Sequence, residues 1–289
     1  MIRIGPAGWA YKDWEGIVYP KPKPRGFDPV AFLCRLFDTI EINSSFYGPP
    51  RPEAVRAWIR RVESNPRFRF TAKLWRGFTH ERNADSQNEA DFKEGMDRLS
   101  GACRLGALLL QFPWSFRYSE ETRAYLIGLV ARFREYPLVV EVRHASWNHD
   151  NALAFFADLR VGLCNIDQPL IGRSLKPSAY VTSEIGYIRL HGRNYKQWFT
   201  ENQRPSDRYD YLYSLDELEP WVDRIKQVAG EAKDTYVVAN NHFLGKAVVN
   251  ALEIGSLLGQ SPVEVPTSLV NRYPKLGGIR ASGESLELS

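Results

Sequence analysis

Apolar positions along this chain gather into eight short runs, at 2–7, 39–45, 68–74, 106–112, 138–143, 161–167, 187–191 and 235–241. Runs of this length, rich in Ile, Val, Leu and Phe, read as buried strands. Between most of them, apolar residues recur at helical spacing. Val55, Trp58, Ile59 and Val62 stand at i, i+3, i+4 and i+7, the pattern of one apolar helix face. Phe92, Met96 and Leu99, then Tyr125, Leu126, Leu129, Val130 and Phe133, then Leu153, Phe156 and Leu159 mark three further helices. Asp28 followed by Pro29 predicts an N-cap and first turn. Ser214 with Glu217 three residues on predicts a capping box opening the helix that carries Leu218, Trp221, Val222 and Ile225.

Strands alternating with amphipathic helices predict a parallel α/β sheet, and eight units predict closure into a single-domain (β/α)8 TIM barrel. The barrel is expected over residues 1–260, with 261–289 as a C-terminal extension ending in a partly frayed tail. An open doubly wound sheet is the main rival. No GxGxxG follows the first run, so its usual dinucleotide signal is missing and no dinucleotide cofactor is expected.

Seven of the runs end in polar side chains, Glu41 and Asn43, Lys73, Gln111, Glu141 and Arg143, Asn165 and Asp167, Arg189 and His191, Asn240 and Asn241, while the first ends in Trp9. Strands of a parallel sheet are ordinarily apolar on both faces, and buried charge is costly. Charge at the same end of so many strands is economical only if those ends open into one polar pocket, the place where barrel enzymes keep their sites. Alternation along a strand assigns Glu41, Asn43, Thr71, Lys73, Glu141, Arg143, Asn165, Asp167, Tyr187, Arg189 and His191 inward, and Cys164 outward.

Three chemistries fit this set. Glu41 and Glu141, with His191, are candidate acid/base catalysts, since neighbouring carboxylates among cations separate into an acid and a base; a glycosidase also pairs carboxylates, but the cations are unusual for a neutral sugar. Glu141, Asp167 and His191 end three successive strands and are candidate ligands for a divalent metal, although no HExxH-type motif accompanies them. Asn43, Lys73, Gln111, Arg143, His144, Arg189, Arg193, Asn240 and Asn241 are candidate substrate-binding residues for an anion. The stretch 192–213 mixes Arg193, Lys196, Arg204 and Arg208 with Tyr195, Trp198, Phe199, Tyr209, Tyr211 and Tyr213, which also suits stacked bases of a nucleic acid. A structural ion-pair network closing the barrel is the bland alternative for the deeper members, Arg189 and Glu141 in particular. Nucleophilic serine chemistry lacks a GxSxG elbow.

The net charge of +4 admits an anionic partner without a basic block that would demand nucleic acid. Three isolated cysteines, Cys34, Cys103 and Cys164, exclude a CxxC zinc ribbon and suit a reducing, cytoplasmic setting. No apolar stretch is long enough for a membrane helix and no signal-peptide core is recognisable, so no membrane association is expected.

Several ordered motifs carry a family resemblance. They are Gly5-Pro6-Ala7-Gly8-Trp9 with Trp14, Gly16, Tyr19 and Pro20; Glu41-Ile42-Asn43-Ser44-Ser45-Phe46-Tyr47; Gln111-Phe112-Pro113; Val140 to Trp147; Ile188 to Gly192; and Asn240-Asn241-His242. Together, over about residues 2–258, they resemble domain-of-unknown-function family 72, the YecE-like proteins. The resemblance implies a TIM barrel and no particular reaction. Pro6-Ala7 stands where the family more usually has Thr-Ser, which weakens any hydroxyl-based role for that loop. The expectation is therefore an enzyme of hydrolase or isomerase type acting on a phosphate- or carboxylate-bearing small molecule. The alternative is a non-catalytic nucleic-acid or polyanion binding module built on 192–213.

Overall fold

The computed structural model describes residues 1–195, 208–260 and 265–279. Eight parallel strands, β1 (Ile2–Pro6), β2 (Thr39–Ile42), β3 (Arg69–Lys73), β4 (Leu105–Gln111), β5 (Leu138–Glu141), β6 (Gly162–Asp167), β7 (Ile185–Leu190) and β8 (Asp234–Ala239), run in the order β1-β8-β7-β6-β5-β4-β3-β2. The seam between β1 and β2 closes through a parallel bridge between Ala7 and Glu41, with the Gly8 N–H donating to the Glu41 carbonyl at 2.9 Å. A Cβ on Gly5 would sit 1.8 Å from the Thr39 carbonyl oxygen, so only glycine lets β1 come this near β2.

The helices surround the barrel: α1 (Pro29–Cys34), α2 (Pro52–Arg61), α3 (Arg76–Thr79), α4 (Ser86–Gly101), α5 (Glu120–Phe133), α6 (Asp150–Asp158), α7 (Leu215–Glu231) and α8 (Lys246–Leu257). Their starts follow side-chain chemistry. The Asp28 carboxylate accepts from the Val30 and Ala31 N–H groups ahead of α1, and Ser214 and Glu217 form the reciprocal box that opens α7. The apolar faces of these helices, including Val55, Phe92, Leu126, Phe156, Trp221 and Val248, are buried against the outer faces of the strands. No helix among the described residues is long and apolar enough to cross a membrane.

The chain continues past the barrel helices as α9 (Thr267–Arg272) and a 3-10 turn at Pro274–Gly278. Leu269 and Leu276 are fully buried, Tyr273 donates its hydroxyl to the Leu244 carbonyl, and Lys275 pairs with Glu253 on α8 at 2.7 Å. This part of the C-terminal extension is packed against the barrel, with Gly277 and Gly278 inside the 3-10 turn. The remainder of the expected tail, 280–289, lies outside the described residues, as does 196–207 with Lys196, Trp198, Phe199 and Arg204.

Between β6 and β7, residues 168–184 cross without a helix. An irregular crossover leaves main-chain groups that no helix ladder satisfies, and side chains must serve them instead. This determines which way the polar residues of β6 face.

Candidate functional site

Residues paired in register across a parallel sheet share a face, so the ladder orients each strand. Arg189 and Tyr187 on β7 point into the barrel, because the Arg189 guanidinium donates to both Glu41 and Glu141 from the opposite wall. Gln111 pairs with Glu141, and Glu41 with Thr71. Lys73 follows Thr71 by two residues and so falls on the same inward face. The inward positions read from alternation in β2, β3, β5 and β7 are those found.

Strand β6 reverses the expectation. Cys164 pairs with Tyr187 and Ile166 with Arg189, so these two face the axis, while Asn165 and Asp167 face out. Asn165 serves the helix-less crossover: its Oδ1 accepts from the Ser178 hydroxyl and the Tyr180 N–H, and its Nδ2 donates to the Tyr180 carbonyl. Asp167 accepts from the Trp221 indole on α7 at 2.9 Å and from Arg193 at 3.0 Å. Burial raises the Asp167 carboxyl above its ordinary range despite that arginine. The three expected metal ligands Glu141, Asp167 and His191 therefore do not converge. Among the described residues, no three His, Cys, Asp or Glu side chains lie close enough to hold a metal.

At the centre of the barrel lies a fully buried charge network. One Arg189 nitrogen donates to Glu141 Oε2 at 2.5 Å and the other to Glu41 Oε1 at 2.7 Å. The Tyr187 hydroxyl lies 2.9 Å from Glu41 Oε2 and 2.8 Å from Thr71 Oγ1. Arg143 adds two bonds to Glu141 Oε1, at 3.0 and 2.8 Å. Burial opposes ionisation of Glu141, but Arg189, with His191 and Arg143, outweighs it and holds the carboxyl well below the usual range. Glu141 is thus a fixed anion, unsuited to donating a proton.

His191 completes this layer. Its Nε2 lies 3.2 Å from Glu141 Oε1 and its Nδ1 lies 3.0 Å from the Asn240 amide nitrogen. Burial drives its pKa down to about 3, so the imidazole is neutral at physiological pH. An amide N–H donating to Nδ1 places the ring proton on Nε2, toward Glu141.

Above the network, Lys73 and Arg143 supply positive charge. The Lys73 ammonium lies 4.0 Å from the centre of the Phe46 ring, and no hydrogen bond or ion pair reaches it from the described residues. Burial, with Arg189 adding to it, lowers its pKa to about 7. His80 meets the same Phe46 ring edge-on at 5.0 Å and is lowered to about 4, chiefly by burial.

The remaining expected residues divide. Asn43 faces the mouth and its amide donates to the Tyr11 hydroxyl at 3.3 Å, while its Oδ1 is buried without a partner. Asn241 faces α8 instead, donating to the Tyr211 carbonyl and to Asn250 at 2.8 Å each. His144 caps a turn, its Nδ1 accepting from the Ser146 N–H at 3.1 Å. Arg193 is committed to Asp167 and Glu217. Tyr211 bonds Glu217, and Tyr213 accepts from the Gly192 N–H in the core, so these aromatics of 192–213 are not open stacking platforms. Phe46 and His80 were not singled out for the site. They come from the connections after β2 and β3, and only their approach to Lys73 in space reveals them.

Fold and mouth together define a (β/α)8 barrel with a buried charged cluster at the strand C-termini. The chain belongs to the family described as "Protein of unknown function DUF72", whose model matches residues 3–274. It is 28% identical over 274 residues to UPF0759 protein YunF of Bacillus subtilis (strain 168), covering 89% of this chain and 95% of that one. It is 30% identical over 147 residues to UPF0759 protein YecE of Escherichia coli (strain K12), covering 50% of this chain and 49% of that one. Among solved structures, a DUF72 family protein from Thermotoga maritima superposes with a TM-score of 0.76 at 30% identity, covering 90% of this chain and 100% of that one. A DUF72 family protein from Enterococcus faecalis gives 0.79 at 26% identity, with 90% and 96% covered.

Proposed function

We propose that the barrel mouth binds a small phosphate- or carboxylate-bearing molecule and that the protein is an enzyme of hydrolase or isomerase type acting on it. The observation that carries this reading is Lys73: a buried lysine at a strand C-terminus whose ammonium meets an aromatic face and, among the described residues, no hydrogen-bond or ion-pair partner. A buried lysine that served structure alone would be paired with a carboxylate. Here Glu41 and Glu141 are already occupied by Arg189, and Glu141 by Arg143 as well. Among the described residues, two carboxylates face Arg189, Arg143 and Lys73 in this layer, and an incoming anion would add negative charge beside them.

The roles follow from these environments. Arg143 and Lys73 receive the anionic group. Glu141, held ionised, orients Arg143 and closes the floor of the site. Proton transfer belongs to Lys73, whose pKa of about 7 suits general acid/base work, rather than to a Glu41/Glu141 pair bridged by one guanidinium. His191 contributes a neutral imidazole whose Nε2 lies 3.2 Å from Glu141 Oε1.

The test is titration of inorganic phosphate and of pyruvate into wild type and Lys73→Met across pH 6 to about 9. An anion beside Lys73 favours its charged form, so binding takes up protons and weakens as pH rises through about 7. Lys73→Met should lose about tenfold or more in affinity, the value of one charge-assisted contact. Anion binding that ignores both pH and the substitution, or its absence, refutes the reading. Salt-sensitive binding of an oligonucleotide in place of either small anion would favour the polyanion alternative.

A further inference from the structure

We infer that Lys73 is the nucleophile of a carbonyl-addition site, forming an imine with an aldehyde or ketone whose anionic group lies against Arg143. This deepens the reading above and rests on it. Four features of the mouth point to this chemistry.

First, the amine is not tied down. A nucleophilic lysine needs a free lone pair, and among the described residues no carboxylate or hydrogen-bond acceptor holds Lys73 Nζ. Second, desolvation and neighbouring cations are the standard means by which proteins keep a lysine neutral. Lys73 has both, being 9% exposed, lying against Phe46 and sharing its layer with Arg189 and Arg143. Third, the barrel beneath it is sealed. Glu41, Glu141, Arg189 and Tyr187 are buried and bonded to one another, so the amine is approached from the mouth. Fourth, Arg143 stands just past the end of β5, two strands along the barrel from β3, and donates to the fixed anion Glu141, which orients its guanidinium.

The step balances without an added oxidant or reductant. The Lys73 nitrogen lone pair attacks the carbonyl carbon, a C–N bond forms, and the π electrons move to oxygen. That oxygen takes up a proton while the nitrogen releases one, giving a carbinolamine. A second proton on the hydroxyl lets the C–O bond break and water leave, as nitrogen donates its lone pair to form C=N. The product is a protonated imine: starting from the neutral amine, the reaction takes up one proton from solvent and releases one water. Such a cation acidifies the adjacent C–H, in keeping with an isomerase-type reaction.

At pH 7 an ordinary surface lysine is neutral in well under about one part in a thousand. Lys73 is neutral in a large fraction. Its lower basicity gives back part of that advantage, and an excess of at least about tenfold in reaction rate over surface lysines is expected.

The experiment incubates the full chain at pH 7 with sodium cyanoborohydride and either pyruvate or glyceraldehyde 3-phosphate, then maps adducts by peptide mass spectrometry. Binding of inorganic phosphate is measured in parallel on wild type and Lys73→Arg. The inference predicts a dominant reduced adduct on Lys73, slowed by excess inorganic phosphate. In Lys73→Arg the dominant adduct is lost, and phosphate binding by wild type reports on the anion site separately. Adducts spread over surface lysines, with Lys73 no faster than the rest, overturn the imine; if phosphate still binds, the anion site stands without it. Absence of both phosphate binding and the Lys73 adduct overturns the anion-site reading and the imine together.

Discussion

Replacing Arg189 by methionine removes the one group that neutralises two buried carboxylates at once. The guanidinium donates to Glu141 at 2.5 Å and to Glu41 at 2.7 Å, and all three side chains are at most 1% exposed. Each charge-assisted bond contributes about 1.5–3 kcal/mol, so the pair gives roughly 3–6 kcal/mol. Breaking a buried ion pair by removing one partner costs about 3–5 kcal/mol, because the partner is left as an uncompensated charge. A loss of about 4 kcal/mol in a chain of this size lowers the melting temperature by on the order of 10 °C. The loss should shrink in acid. Without Arg189, the burial penalty on the Glu141 carboxylate is opposed chiefly by Arg143, so protonation in acid relieves the folded variant more than it does wild type. In wild type Glu141 is held low, and its contribution is lost as pH falls through its folded pKa. Urea unfolding of wild type, Arg189→Met and the triple variant Arg189→Met/Glu41→Gln/Glu141→Gln at pH 5 and 8 reads this directly. The triple variant should recover part of the stability. A loss below about 1 kcal/mol for Arg189→Met, or one that grows in acid, would refute the assignment of Arg189 as the hub.

Three further outcomes follow from the same geometry. Asp167→Asn loosens Arg193 and the Trp221 indole on the outer face and should cost about 1–3 kcal/mol in unfolding experiments, while phosphate affinity at the mouth stays within about twofold. Gly5→Ala drives a Cβ into the Thr39 carbonyl and should cost about 3 kcal/mol or more, seen as insoluble expression or a collapsed melting temperature; a well-folded variant would show that the seam can open. Asp28→Ala removes the cap of α1 and should cost about 1 kcal/mol by the same unfolding assay, with no effect on anion binding.

The barrel and most of its inner wall were legible because strand alternation is rigid. Once Glu41, Thr71, Glu141 and Arg189 are assigned to strand ends, a period of two decides their side, and the ladder agrees. The same rule misassigned β6. Polar side chains there were read as lining a pocket, whereas they satisfy a crossover that lacks a helix, which leaves Cys164 and Ile166 facing the axis. Asn241 was misread for a related reason: it is needed by Tyr211 and α8. Pairing was the other hidden quantity. Sequence gives Lys73 and Arg193 equal standing as cations, but Arg193 bonds Asp167 and Glu217, whereas the Lys73 ammonium, among the described residues, meets Phe46 and no carboxylate within ion-pair distance. That difference depends on distance across the fold, which no local pattern records.

The central claim is that Lys73 is an amine poised near neutrality in an anion site. Its most direct test is NMR of the lysine side-chain carbons and nitrogens, with Lys73→Arg to assign the Lys73 signal. The account predicts one lysine titrating near pH 7, far below the ordinary value of about 10.4, and moving upward when inorganic phosphate is added. A Lys73 signal that titrates with the surface lysines, or that phosphate leaves in place, would contradict it.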